Sequence, residues 1–243
     1  MVPIGVIINS FAIITGGIIG GFLGNKVPLQ FKQQMNLIFG VCSMAMGIMS
    51  IAPMKYMPAV IFSVVVGTAL GLAIHLGEKI TQGALLLQRP IAKIVPQGLI
   101  EMSQEDFLNS LVTIIVLFCA SGTGIYGSLA EGMTGDSSIL ISKSILDFFT
   151  ALIFACNLGY VVAAIAVPQL VIFSVIYYLA QVIYPLTTPD MILDFKAAGG
   201  ILMVATGFRI IQVKLFPTGD MILAMLLVMP VSWAWANWIL PLL

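Results

Sequence analysis

The chain has 243 residues, 60% of them hydrophobic and 8% charged, with ten Lys or Arg against ten Asp or Glu and a mean hydropathy of +1.12. A soluble domain carries roughly 25% charged residues, so no water-soluble fold could hide this much apolar surface, and the solvent must be lipid. Zero net charge and few, scattered cations leave no footprint for nucleic acid.

About 20 apolar residues cross a bilayer as a helix. On that rule the chain reads as an all-α integral membrane protein, one polytopic domain over residues 1–243 with about eight transmembrane helices. The predicted segments are 2–24, 35–52, 57–77, 107–129, 139–167, 169–185, 195–213 and 221–240. No Lys or Arg precedes the first apolar run and no A-x-A site closes it, so this segment is expected to stay in the mature protein.

The first segment carries Asn9, Ser10 and Thr15, then the run ITGGIIGGFLG. Gly16 with Gly20 and Gly17 with Gly21 are GxxxG pairs, which let helix backbones approach closely. They serve packing within the chain or a homodimer through glycine-rich faces. The second segment contains FGVCSMAMGI and the seventh GGILMVATGF, each with glycines seven apart, Gly40/Gly47 and Gly200/Gly207. An offset of five crossings reverses direction. Helices 1–3 and 6–8 therefore read as inverted-topology repeats, a construction common in secondary transporters. Chance likeness between glycine-rich helices is the competing explanation.

His75 and Glu78 close the third segment as an i, i+3 pair, more often solvated than a metal or proton site. Residues 78–106 then mix apolar and charged side chains. They read as a cytoplasmic amphipathic linker, with 80–95 either a basic helix on the membrane surface or plain connection.

The fourth segment runs into SGTGIYGS, residues 121–128. Three glycines within six residues, flanked by Ser121, Thr123 and Ser128, predict a broken helix. Broken helices free backbone groups that can bind ions at membrane depth. The fifth segment carries Lys143, Asp147 and Asn157. A carboxylate at such depth costs roughly 2.5–3.5 kcal/mol on insertion scales, so it is either neutralised by a partner or used. Lys143 and Asp147 are four apart and share a helix face. They form a self-satisfied ion pair, or a cation or proton site in which Lys143 tunes Asp147 and competes with the cation.

Residues 139–185 are too long for one crossing, and Pro168 supplies the expected break, with Gln169 beside it. Asn9, Asn157, Gln169, Ser121 and Thr123 are neutral ligands suited to Na⁺ or a polar substrate, or are helix glue. Cys42, Cys119 and Cys156 lie in apolar runs without CxxC or His partners and read as packing residues. The chain has no P-loop, GxSxG or HExxH, and one His with one deep Asp are too few for an intramembrane enzyme. No cofactor and no metal cluster are expected beyond an ion such as Na⁺.

Lys and Arg set orientation. Starting outside, the inner loops hold Lys26, Lys32, Lys79, Arg89, Lys93, Arg209 and Lys214, and the outer side holds Lys55, Lys143 and Lys196. Both termini are expected on the non-cytoplasmic side.

With FGVCSMAMGI, IYGSLAEGMTGD, the KSILD of Lys143 to Asp147 and AGGILMVATGFRI in order, the chain resembles the YqgA-like family of bacterial inner-membrane proteins over nearly its whole length. Lys143, Asp147, Gly199 and Gly200 match the family pattern. Leu170 stands where a glycine is expected after Gln169. Such proteins have been labelled sodium channels or pumps and linked loosely to biofilm formation. The resemblance implies transport of a small ion or solute, coupled to Na⁺ or H⁺. A non-transporting scaffold that packs helices is the alternative.

Overall fold

The computed structural model describes residues 2–23, 27–92 and 104–242. Helices run α1 Ile4–Leu23, α2 Leu29–Ile51, α3 Met57–Ala73, α4 Leu76–Ala92, α5 Gln104–Cys119, α6 Gly122–Thr134, α7 Ser138–Leu158, α8 Val161–Ala164, α9 Ala166–Ile183, α10 Pro189–Ile210 and α11 Thr218–Ala234. Among the described residues, seven helical spans are long and apolar enough to cross a bilayer, and the broken pair α3–α4 makes an eighth. Exposed side chains such as Phe11, Phe22, Val65 and Val182 cover the helices as lipid-facing surfaces do.

Three boundaries differ from expectation. The fifth and sixth crossings part at Gly159, not Pro168. Gly159 has φ +72, a left-handed conformation that glycine alone adopts at no steric cost. Pro168 lies inside the first turn of α9, where its missing N–H would have had no helical partner. Leu170 continues that helix without a break. In the fourth crossing the chain interrupts at Ala120–Ser121, and the glycines that follow are helical. Ser121 N-caps α6, accepting from the Gly124 N–H at 3.1 Å. A side chain at Gly124 would collide with the Phe173 ring, so this glycine makes room for a neighbour and does not unwind the helix. Third, α4 occupies the first part of the 78–106 stretch, starting after a break where His75 takes φ +54. His75 Nδ1 lies 3.4 Å from the Glu78 carboxylate and both side chains are exposed. Residues 93–103 of the linker, with Lys93, and Lys26 of the first loop lie outside the described residues.

The chain divides into two compact units, Met1–Leu37 with Ile80–Ala180, and Ile38–Lys79 with Gln181–Leu243. In the first, a core of Ile13, Leu111, Ile114, Phe118, Ala151, Ala155 and Val161 gathers α1, α5, α7 and α8. Ala84 and Ile91, seven apart, bring one face of α4 into it.

In the second unit α2 and α10 pack antiparallel along the two glycine-spaced segments. A Cβ on Gly47 would stand 2.6 Å from the Gly200 carbonyl oxygen, and one on Gly200 2.6 Å from the Gly47 carbonyl. Gly40 and Gly207 repeat this reciprocal contact one stretch along. Ser43 Oγ, between them, donates to the Met203 carbonyl at 3.1 Å. The α3–α11 pair is antiparallel too, with Gly67 against Ala224 and Gly71 against Asp220.

A carboxylate tethers the start of α3. Asp194, 0% exposed, accepts from the N–H groups of Lys55 and Tyr56, both at 2.9 Å, and from Ser232 Oγ at 2.7 Å. Helix N-termini leave N–H groups unpaired and carry positive partial charge, so a carboxylate is favoured there. Tyr56 donates its hydroxyl to Asp190 at 2.9 Å, and that bond pushes the phenol above its ordinary ionisation range. Asp194→Ala leaves three donors without an acceptor and is expected to lower unfolding free energy by roughly 2–4 kcal/mol. Unfolding in detergent micelles checks this, with Tyr56→Phe as the mild comparison.

Candidate functional site

The first unit buries a chain of polar side chains. Lys143 and Asp147 lie one turn apart on α7, 4% and 7% exposed, and Nζ pairs with Oδ2. Counting ~1.5 Å per residue from Ser138, Asp147 sits ~13 Å into the span, near its middle. Asn9 of α1 donates Nδ2 to the same Oδ2 at 2.8 Å. Gln169 of α9 donates Nε2 to Asn9 Oδ1 at 2.6 Å. Ser10 closes the chain: its single hydroxyl proton is within reach of Gln169 Oε1 at 2.6 Å and of the Val6 carbonyl at 3.0 Å. Phe118 presents its ring 6.0 Å from Lys143 Nζ, the outer limit of a cation–π contact.

Local sequence explains how these groups meet. α1 runs parallel to α7 at glycine contact: a Cβ on Gly16 would collide with the Phe148 carbonyl, and one on Gly20 with the Leu152 carbonyl. Only this approach lets the short Asn9 side chain reach Asp147. Gln169 is delivered by the first turn of α9, just past Pro168.

Four of the seven predicted site residues, Asp147, Lys143, Asn9 and Gln169, are therefore joined. Three are not. Ser121 uses its hydroxyl as a helix cap. Thr123 is buried within α6. Asn157 is exposed on α7, ten residues and ~15 Å of helix beyond Asp147.

Cys119 follows Phe118, the residue whose ring faces Lys143. It also lines an apolar cavity of about 290 Å³ between α4, α5, α6 and α9, with Ala84, Leu87, Ile115, Ile125 and Ile172 in the wall. Among the described residues no three His, Cys, Asp or Glu side chains converge to hold a metal ion.

One buried acid of this unit was not singled out from the sequence. Glu131 of α6 is 3% exposed, and its Oε1 accepts from the Gly5 N–H at 2.7 Å, at the start of α1. The helix extends to Thr134, beyond the predicted end at 129, so this acid lies within the span. An intramembrane acid is the signal that would have marked it.

A bundle of apolar spans around an internal ion pair and amide chain defines a multi-pass α-helical membrane protein. The chain belongs to the DUF554 family, described as a protein of unknown function, whose profile matches residues 4–233. It is 44% identical over 235 residues to the uncharacterized protein YqgA of Escherichia coli (strain K12), covering 97% of this chain and 98% of that one. It is 30% identical over 230 residues to the uncharacterized membrane protein YdfK of Bacillus subtilis (strain 168), covering 92% and 93%. No solved structure matches the chain.

Proposed function

We propose that the protein is a bacterial inner-membrane transporter or channel for a small ion, coupled to Na⁺ or H⁺, with Asp147 as its charged ligand. The observation that carries this reading is the Lys143–Asp147–Asn9–Gln169–Ser10 chain, buried near mid-span in apolar helices. Lys143 occupies the place an incoming cation would take. A cation reaching Asp147 displaces that ammonium, which swings away on its flexible stem, and the amide oxygens of Asn9 and Gln169 complete an oxygen shell. Oxygen ligands suit Na⁺. The apolar cavity at Cys119 gives the same unit free volume. The reciprocal glycine contacts of α2 with α10 are the kind that inverted repeats make about a two-fold axis, which favours a transporter architecture. Both termini are assigned to the non-cytoplasmic side from the Lys and Arg count alone.

The test is cation flux in proteoliposomes. Wild type should carry ion-dependent flux. Asp147→Asn, and the doubly neutral Lys143→Gln/Asp147→Asn, should insert and carry none. Wild-type flux in either variant removes Asp147 from the mechanism. A second reading, a packing scaffold that transports nothing, is favoured by the near-complete burial of the pair and the close glycine contacts. It predicts that these substitutions change stability alone.

A further inference from the structure

Glu131 carries a feature that the helix cap does not explain. Its Oε1 accepts from the Gly5 N–H at the start of α1, but its Oε2 is buried with no hydrogen-bond partner among the described residues. No Lys, Arg or His among them lies within ion-pair distance. Gly5 makes room for this oxygen: a Cβ there would stand 3.0 Å from Oε2, with Leu140 and Ser137 Cβ atoms closing the other sides at 2.9 and 3.0 Å. A bare carboxylate oxygen in an apolar cradle is costly, whereas a carboxylic acid keeps the cap through one oxygen and holds a proton on the other.

Glu131 also lies near the end of its span and on the side of α1 that meets Asp147. Glu131 stands one turn from exposed Thr134, Gly135 and Asp136 at the end of the span. On α1, Gly5 touches Glu131 and Asn9 touches Asp147. These two contacts lie on one face, four residues or ~6 Å apart along the axis. The ionisable groups of the packed elements are few. α1 has none, α6 itself adds Tyr126, α7 brings Lys143 and Asp147, which are paired, and Cys156, and α9 brings Tyr177 and Tyr178. Leu140, Val6 and Phe173 form a small apolar cluster beside α1 in this region.

We propose that Glu131 is a second ionisable site of the first unit, a carboxyl that takes up and releases a proton at the membrane face where α1 begins and relays it to the Asp147 network. The relay rests on the transport reading; the protonation does not. The test is pH-difference infrared spectroscopy of the full chain in lipid vesicles. A protonated-carboxyl C=O band is expected at acid pH and lost as the pH is raised. The band should be absent in Glu131→Gln, whose amide oxygen keeps the Gly5 cap. It should shift in frequency in Glu131→Asp and persist in Asp147→Asn. A band unmoved by both Glu131 substitutions, or no band at all, overturns the assignment. In flux assays driven by a pH gradient, Glu131→Gln should be slowed several-fold. Wild-type flux there, with the band lost, overturns the relay. Loss of all wild-type flux with the band intact instead sinks the transport reading and leaves the protonation standing.

Discussion

Lys143→Met is expected to lower the unfolding free energy by about 3–5 kcal/mol, because it leaves Asp147 charged and unpaired in the bundle. Asp147→Asn should cost a similar amount, since it strands the ammonium instead. The double substitution Lys143→Met/Asp147→Asn should recover most of both losses. It removes both charges, keeps an amide oxygen for the Asn9 Nδ2–H, and fits methionine into the space of the lysine stem. Buried ion pairs are weak net stabilisers: breaking one is expensive, while replacing both partners is often neutral. The coupling between the two sites, measured by unfolding in mixed micelles, should then be several kcal/mol. Additive losses would mean the pair is solvated and not held in the low-dielectric interior.

The second large effect belongs to the glycines of α1. Gly20→Leu places atoms on the Leu152 carbonyl, a backbone group that cannot rotate away, so α1 must lift off α7. Overpacking typically costs about 1–3 kcal/mol and more where backbone blocks the side chain. Here it also separates Asn9 from Asp147, so loss of stability and loss of flux are expected together. Gly83→Ala is the contrast: nothing lies within 4 Å of its added Cβ. That helical position should gain about 0.5–1 kcal/mol. Thermal unfolding of the three proteins in one detergent checks the order.

The parts of this site visible in the sequence were those marked by charge in an apolar run. Lys143 and Asp147 stand out in KSILD, and their i, i+4 spacing alone fixes their contact. Asn9 and Gln169 were visible as polar interruptions, but nothing in their spacing says which helix they face. That depends on the glycine-close packing of α1 on α7 and on where α9 starts. Glu131 and Asp194 were missed for one physical reason. Hydropathy trims a span at its first charge, so acids that cap a neighbouring helix from inside a span's end look like loop residues. Residues 139–185 are too long for one crossing, and the break falls at Gly159 and not at Pro168. Proline in a first turn is harmless, and Gly159 makes the reversal. The likeness of FGVCSMAMGI and GGILMVATGF reads as a repeat. In the fold the two segments are also contact partners, which similarity alone does not announce.

Transport at this site requires water or an ion to gain access to Asp147. Ser144 is the place to measure it. It neighbours Lys143 on α7, is 4% exposed, and donates its hydroxyl to the Leu140 carbonyl at 2.6 Å. Ser144→Cys, in a chain whose Cys42, Cys119 and Cys156 are alanine, should react with a small charged methanethiosulfonate reagent in native membranes, more slowly when the transported cation is present. A thiol that stays inert in folded protein and reacts only after denaturation would contradict the account.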